Sequence, residues 1–129
     1  MTRRRGSCLC GAVVFEIAAE MQPPIACHCR ECRQQSGHHF AASAVEKSAL
    51  SLIRDRGLTW FRASDVAQRG FCGNCGSTLF WRRDESPLIH VLLGTFDGPT
   101  GLRLSQHFWV SEKGDYYDIA DGLPQLEED

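Results

Sequence analysis

The sequence has no long apolar run and no strong excess of charge of either sign, and both absences exclude functions. Across 129 residues, 14 basic and 16 acidic side chains give a formal net charge of -2. Because nucleic-acid-binding domains usually carry a basic face, we expect no nucleic-acid partner. No apolar stretch approaches the roughly 20 residues that a bilayer-spanning helix needs. We therefore expect no membrane association, no signal peptide and a cytoplasmic protein.

Helical periodicity is also scarce, and short apolar segments separated by turn residues take its place. The length of 129 residues fits one domain, which we expect to span residues 1–129. Two short helices are predicted, at 30–36 with Gly37 ending it, and at 46–50. A mainly β fold follows from this pattern. The strands are expected at 12–17, 40–45, 50–53, 58–62, 67–71, 78–82, 88–93 and 107–110.

The turn signals and the chain ends give three further expectations. Residues 50–53 and 58–62 flank a turn at 55–57, which predicts a β-hairpin. The basic run at 3–5 is typical of a frayed, solvated terminus. The acidic residues 125–129 are expected to be loosely held.

Cysteine, in contrast, is abundant, and its count and spacing carry the functional prediction. There are seven cysteines, so a complete set of intrachain disulfides is impossible. In a reducing cytosol, closely spaced cysteines more often bind metal than form cross-links. They occur in three clusters, at 8–10, 27–32 and 72–75, with spacings C-x-C, C-x-C-x-x-C and C-x-x-C.

The first and third clusters together supply four ligands. Zinc takes thiolates in a tetrahedral arrangement, and a site with all four positions filled by protein is typical of a structural zinc. We therefore interpret Cys8, Cys10, Cys72 and Cys75 as a closed structural zinc site. A redox C-x-x-C pair, or buried cysteines without metal, is the alternative.

The middle cluster supplies three ligands, Cys27, Cys29 and Cys32, within six residues. A zinc ion held by three protein ligands keeps a fourth position open for water or substrate, as catalytic zinc sites do. We predict a second zinc ion here, with these three cysteines as the catalytic residues. The same thiols without metal are the alternative.

Several polar residues near the middle cluster are candidates for other roles. We expect His28 to be a solvent-facing spacer, with proton donation as the alternative. The histidines at 38–39 border the open site or lie elsewhere on the surface. Arg30 and Arg33 either pair with a carboxylate of the thiol substrate, or form a salt bridge with Glu31 or remain solvated. His107 is expected to be a hydrogen-bonded core residue.

The cysteine clusters and a tail motif together resemble glutathione-dependent formaldehyde-activating enzymes, a group that includes the centromere protein V domain. The resemblance covers nearly the whole chain. Its motifs are Cys8-Leu9-Cys10-Gly11, Cys27-His28-Cys29-Arg30-Glu31-Cys32-Arg33 with Ser36-Gly37, Phe71-Cys72-Gly73-Asn74-Cys75-Gly76-Ser77, His107-Phe108-Trp109-Val110 and Asp118-Ile119-Ala120-Asp121-Gly122-Leu123-Pro124.

The resemblance implies a fold, an activity and a set of ligands. The fold would be an Mss4-like zinc-binding fold of packed antiparallel sheets. The activity would be that of a carbon–sulfur lyase, which condenses formaldehyde with glutathione to S-hydroxymethylglutathione. Carried over, the matching residues repeat the two zinc sites above, and the partners would be a small thiol and an aldehyde. A non-catalytic, zinc-stabilised binding module of the centromere protein V type is the alternative.

Overall fold

The computed structural model describes residues 3–128, and this part of the chain is mainly β, as predicted. Within it lie ten strands, one α-helix and three single turns of 3-10 helix, at Lys47–Ala49, Leu93–Thr95 and Val110–Glu112. No helix in the described range is long and apolar enough to cross a bilayer. The elements are β1 (Arg3–Ser7), β2 (Val13–Ala18), β3 (Ile25–Cys27), α1 (Arg30–Ser36), β4 (Phe40–Glu46), β5 (Leu50–Asp55), β6 (Leu58–Arg62), β7 (Ala67–Cys72), β8 (Thr78–Arg83), β9 (Leu88–Leu92) and β10 (Gln106–Phe108).

The strands form a small sheet and a large sheet. The small sheet has the order β1-β2-β5, and the large one has the order β10-β3-β4-β9-β8-β7-β6. All pairs are antiparallel except β10 with β3, which run parallel. The expectation of antiparallel sheets is thus met apart from this one edge.

One face of the large sheet carries the main hydrophobic core. Side chains alternate between the two faces of a strand, so cross-strand partners form rows. Val91 of β9 lies opposite Phe80 of β8, and both are buried together with Val45 of β4. The ring of Phe15 from β2 lies 5.3 Å from the ring of Phe80, in an edge-to-face arrangement. The small sheet therefore packs on this face.

The opposite face of the large sheet carries a different set of side chains. Arg69 of β7 lies opposite Trp81 of β8, which in turn lies opposite His90 of β9. Phe40 of β4 packs against Cys32 of α1 and lies below the guanidinium of Arg69, at 5.4 Å. We call this the cavity face and define it by Phe40, Ala42, Arg69, Trp81 and His90.

The predicted hairpin at 55–57 is wrong, although the chain does turn there. Strand β5 pairs with β2 in the small sheet, and β6 pairs with β7 in the large sheet. Asp55 shapes the turn by accepting a hydrogen bond from the amide of Leu58, at 3.1 Å. A turn signal predicts a change of direction, but not whether the flanking strands pair with each other.

Residues 3–5 are not a frayed terminus but part of β1. This strand pairs with β2 in the register Arg3 with Ala18 and Arg5 with Glu16. Arg3 forms a salt bridge with Glu16, at 2.5 Å. Arg3 and Arg5 are exposed at this edge of the small sheet, whereas Arg4 donates from Nε to the carbonyl of Thr100 at 3.0 Å.

The acidic tail is also held, contrary to expectation. The amide of Leu126 donates to the carbonyl of His107 at 2.9 Å, and His107 donates to the carbonyl of Pro124 at 2.9 Å. Gln125 forms a parallel bridge with His107, so the tail extends the large sheet beyond β10. Asp129 lies outside the described residues.

Candidate metal centres

Two tight turns bring four cysteines together at one end of the sheets. Cys8 and Cys10 lie between β1 and β2, while Cys72 ends β7 and Cys75 lies in the turn before β8. Their four sulfur atoms all lie within 4.8 Å of one another. The turn of the second pair is closed by a hydrogen bond from the Gly76 amide to the Cys72 carbonyl, at 2.7 Å. Gly76 has a left-handed φ of 83°, which a glycine adopts without strain.

The spacing of these sulfur atoms fits a tetrahedral metal ion. The Sγ atoms of Cys8 and Cys10 lie 3.7 Å apart, and those of Cys10 and Cys72 lie 3.9 Å apart. Four zinc–sulfur bonds of about 2.3 Å in a regular tetrahedron place the sulfurs about 3.8 Å apart. A disulfide would need about 2.05 Å instead. The donor set and its geometry therefore suit a thiolate-bound metal.

Hydrogen bonds favour the thiolate form of this closed cluster. The backbone amide of Val13 donates to Cys8 Sγ at 3.3 Å, and the side-chain amide of Asn74 donates to Cys10 Sγ at 3.2 Å. The hydroxyl and the backbone amide of Ser77 lower the pKa of Cys75 to about 5. Since metals bind thiolates rather than thiols, these donors prepare the ligands.

The second cluster is built at the start of α1. Cys27 ends β3, Cys29 is the N-cap of α1 and Cys32 lies in its first turn. Their three sulfurs lie within 4.8 Å of one another, and among the described residues no further Cys, His, Asp or Glu ligand atom joins them. The predicted helix boundary is confirmed, because Gly37 ends α1 with a left-handed φ of 84°.

The three thiols of this cluster differ in the direction of their pKa shifts. Hydrogen bonds from Cys27 and Cys32 lower the pKa of Cys29 to about 2, and the same contacts raise the pKa of Cys27. The backbone amide of Cys32 also points at Cys29 Sγ, at 3.4 Å. These contacts favour the thiolate form at Cys29, and three soft ligands arranged this way can hold a thiophilic metal from three sides.

The three-cysteine cluster opens onto a cavity of about 830 Å³, a size in the usual range for small-molecule sites. Its floor is the cavity face of the large sheet, and its rim comes from α1 and from the segment after β10. The lining residues that matter below are Cys27, Cys29, Cys32, Phe40, Arg69, Trp81, His90 and Glu112. The open side of the cluster therefore faces space for a ligand.

Arg69 is a residue of this site that the sequence reasoning missed. It is 4 % exposed, and its Nη2 lies 3.5 Å from Cys32 Sγ. The signal in the sequence was an arginine inside the strand AQRGFC, 37 residues away from Cys32. Nothing local in the sequence indicates that contact, which depends on the pairing of β7 with β8.

Both arginines that flank the three-cysteine cluster form hydrogen bonds with Glu112. Arg33 donates from Nε to the carbonyl of Glu112 at 2.8 Å. The backbone amide of Arg30 donates to the Glu112 carboxylate, at 2.8 Å. The predicted alternative of a salt bridge with Glu31 is not what is found, because Glu31 instead lies 3.9 Å from Arg69.

His28 is not a solvent-facing spacer, and that prediction is wrong. It is fully buried, on the side of β3 opposite to Cys27, and its Nε2 lies 2.9 Å from Nδ1 of His107. His107 Nε2 lies 2.8 Å from the Asp121 carboxylate, and His28 Nδ1 contacts the hydroxyl of Tyr117. The prediction that His107 is a hydrogen-bonded core residue is confirmed. Burial lowers the pKa of His28 to about 4, so its ring is neutral.

Asp121, His107, His28 and Tyr117 form a chain of hydrogen bonds. The donor and the acceptor of each bond can be assigned in turn, starting from Asp121. The amide of Leu123 and the ring of His107 lower the pKa of Asp121, so its carboxylate accepts. With the Asp121 carboxylate as acceptor, His107 donates to it from Nε2 and accepts at Nδ1 from His28. Tyr117 donates to the remaining nitrogen of His28. Every polar group in the chain is satisfied, which favours a structural role in holding the tail.

The histidines at 38–39 do not border the three-cysteine cavity. His38 Nδ1 lies 3.1 Å from the hydroxyl of Tyr116, and the ring of His39 lies 5.1 Å from that of His28. Because Phe40 points to the cavity face, His39 next to it points to the other side of β4. His38 is exposed and His39 is half-buried, and both lie beside the rings of His28 and Tyr117 rather than beside the open cluster.

With the two cysteine clusters defined, relatives can be compared. The sequence model of the glutathione-dependent formaldehyde-activating enzyme family matches residues 3–112. The chain belongs to this family. The match includes every cysteine of both clusters, and also Arg69.

Two further proteins resemble this family member along most of their length. An uncharacterized lyase of Schizosaccharomyces pombe is 29% identical over 123 residues, which are 93% of this chain and 88% of the relative. A crystal structure of a Rhodobacter sphaeroides protein superposes with a TM-score of 0.60 and 27% identity, covering 75% of this chain and 91% of that one.

Proposed function

We propose that this protein is a zinc-dependent carbon–sulfur lyase that joins a small thiol to formaldehyde as an S-hydroxymethyl adduct, with glutathione as the first thiol to test. The observation that carries the proposal is the cluster of Cys27, Cys29 and Cys32, whose open side faces a cavity of about 830 Å³. Family membership and the lyase name of the yeast relative support the reaction class.

The two clusters have different roles in this proposal. Cys8, Cys10, Cys72 and Cys75 hold a structural zinc ion, because no ligand position is left for substrate. Cys27, Cys29 and Cys32 hold the catalytic zinc ion. Residues 1–129 act as one domain, and a reducing cytoplasm would keep all seven thiols available for metal.

The reaction needs no oxidant or reductant. The thiol sulfur forms a bond to the formaldehyde carbon, the carbonyl π electrons move to oxygen, and the thiol proton ends on the new hydroxyl group. Zinc bound by the three cysteines would supply positive charge that favours the thiolate form of the substrate. The protein itself supplies a shaped cavity walled by Phe40 and Trp81, which holds the sulfur and the aldehyde together and limits access of water.

The proposal is tested by measuring adduct formation from glutathione and ¹³C-formaldehyde by NMR, with zinc-loaded protein and with buffer alone. We expect faster adduct formation with the protein, and loss of that acceleration in Cys29→Ser. Equal rates with protein and buffer would contradict the reaction for this thiol. A protein that binds two zinc ions per chain but never accelerates the reaction would instead be the non-catalytic binding module.

A further inference from the structure

Arg69 is a buried cation whose hydrogen-bonding capacity is largely unused. Its side chain is 4 % exposed, and neither Nε nor Nη1 has a partner among the described residues. An arginine cannot shed its charge, and leaving buried N–H donors unpaired is costly. A group that accepts hydrogen bonds from these nitrogens would remove that cost.

The position of Arg69 indicates where such a group would lie. The guanidinium lines the same cavity as the three cysteines, and its Nη2 contacts Cys32 Sγ at 3.5 Å. It rests over the ring of Phe40, at 5.4 Å, and lies across the strands from Trp81. The burial of the guanidinium over the Phe40 ring lowers the local dielectric, which strengthens an ion pair formed there.

The protein offers Arg69 only a loose carboxylate of its own. Glu31 lies 3.9 Å away, beyond hydrogen-bond distance, and its side chain is 52% exposed. A contact with the cysteine sulfurs would involve only Nη2 of Arg69 and would leave its Nε and Nη1 without partners. Neither contact accounts for the unused donors.

We propose that Arg69 binds a carboxylate of the thiol substrate, so that the enzyme selects thiols that carry a carboxylate over neutral thiols of the same size. This inference rests on the proposed function, since it assumes that the thiol occupies the cavity beside Cys27, Cys29 and Cys32. Arginine is suited to this task because its planar fork matches a carboxylate. Arg69 is then a specificity residue that the cysteine motifs do not reveal.

The first test uses the unmodified protein and matched thiols. Binding of 3-mercaptopropionate and of 3-mercaptopropionamide to the zinc-loaded protein is measured by calorimetry without formaldehyde. Glutathione and its diethyl ester, in which both carboxylates are blocked, form a second pair. Since hydrogen bonds to charged groups are the stronger ones, we expect the acid of the first pair to bind roughly 10- to 100-fold more tightly than the amide.

The second test assigns the preference to Arg69. Arg69→Gln should bring the acid and the amide to similar affinity, and Arg69→Lys should keep part of the difference. Arg82→Gln is the control, because Arg82 is another arginine of the large sheet, half-buried, that stacks over Trp60 and does not line the cavity. This control should keep the full preference.

The outcomes separate this inference from the proposed function. Equal affinity for acid and amide in the unmodified protein would overturn the inference, as would a preference that survives in Arg69→Gln. If Arg69→Gln does not fold, the thiol pairs and Arg69→Lys decide. A preference for acids without any adduct formation would support the carboxylate site and contradict the proposed reaction. Adduct formation without a preference for acids would support the reaction and contradict the carboxylate site.

Discussion

At the scale of single residues, the cavity face contains one ring whose charge state is fixed by its surroundings. His90 stands on β9 with Trp81 opposite, their ring centroids 5.0 Å apart. Its Nδ1 is buried without a partner among the described residues. Burial therefore lowers the pKa of His90 below its ordinary value of 6.5 and keeps the ring neutral.

This shift predicts how stability depends on pH. Between the ordinary pKa of 6.5 and the lowered pKa in the folded state, the unfolded chain binds a proton at His90 that the folded protein does not. Stability contributed by the neutral ring is thus present above pH 6.5 and is lost as the pH falls. We expect the unfolding free energy to drop more between pH 7.5 and 5.5 in the unmodified protein than in His90→Gln, measured with urea. Equal drops would contradict a lowered pKa, because protonation of the cysteines affects both proteins alike.

Residues with local sequence signals were predictable, and those defined by strand pairing were not. The division of the cysteines follows from their spacing and count, and the structure brings each predicted set together. Arg69 and His28 depend on which strand lies beside which. A histidine between two cysteines suggests a polar spacer, but His28 directly follows β3, its amide still bonds the carbonyl of Phe108, and its side chain is buried.

At the scale of elements, the C-terminal segment is held against β10 by a side-chain and a backbone contact. Asp121 binds His107, and its other carboxylate oxygen accepts from the amide of Leu123 at 3.0 Å. From Pro124 onward the backbone of the tail pairs with His107. The tail therefore covers an edge strand that would otherwise expose unpaired backbone groups.

Removing the carboxylate should loosen this segment before the rest of the protein. In Asp121→Ala we expect faster hydrogen exchange at the amides of His107 and Leu126, with little change in the strands of the small sheet. Exchange measured by NMR or mass spectrometry checks this. Asp118→Ala, an exposed aspartate of the same segment, is the control and should leave both amides as they are. Unchanged exchange in Asp121→Ala would show that backbone pairing alone holds the tail.

Elements that end at a glycine cap or follow a β-branched run were well predicted, since their signals are local. The helix at Arg30–Ser36 has the predicted bounds, and β6 does too. The strands β1 and β3 were missed, because an arginine-rich edge and a three-residue strand have little apolar pattern. Such strands depend on pairing with strands that are distant in sequence. The same kind of pairing places β5 and β6 in different sheets.

At the scale of the whole molecule, the closed cluster links the two sheets. Cys8 and Cys10 belong to the turn between strands of the small sheet, whereas Cys72 and Cys75 belong to a turn of the large sheet. A metal ion there closes a loop of about 60 residues in one step, and binding free energy becomes folding free energy. The open cluster joins only β3 and α1, which are adjacent in sequence.

This difference predicts opposite effects of two cysteine substitutions. A structural zinc site contributes about 10–16 kcal/mol, as much as the whole stability of a typical domain. Cys72→Ser should therefore lose one zinc ion and the cooperative unfolding transition together. Cys29→Ser should lose the other zinc ion and keep the fold, since serine is itself a favourable N-cap for α1.

Circular dichroism melts and zinc content measured on the same samples distinguish the two variants. Both variants replace a cysteine ligand with serine. The predicted difference in their stability therefore depends on where each cysteine lies in the fold and not on the chemistry of the substitution. A folded Cys72→Ser together with an unfolded Cys29→Ser would reverse the assignment of the clusters. If both variants melt like the unmodified protein while losing zinc, the core formed by Phe15, Phe80 and their neighbours holds the sheets together without metal.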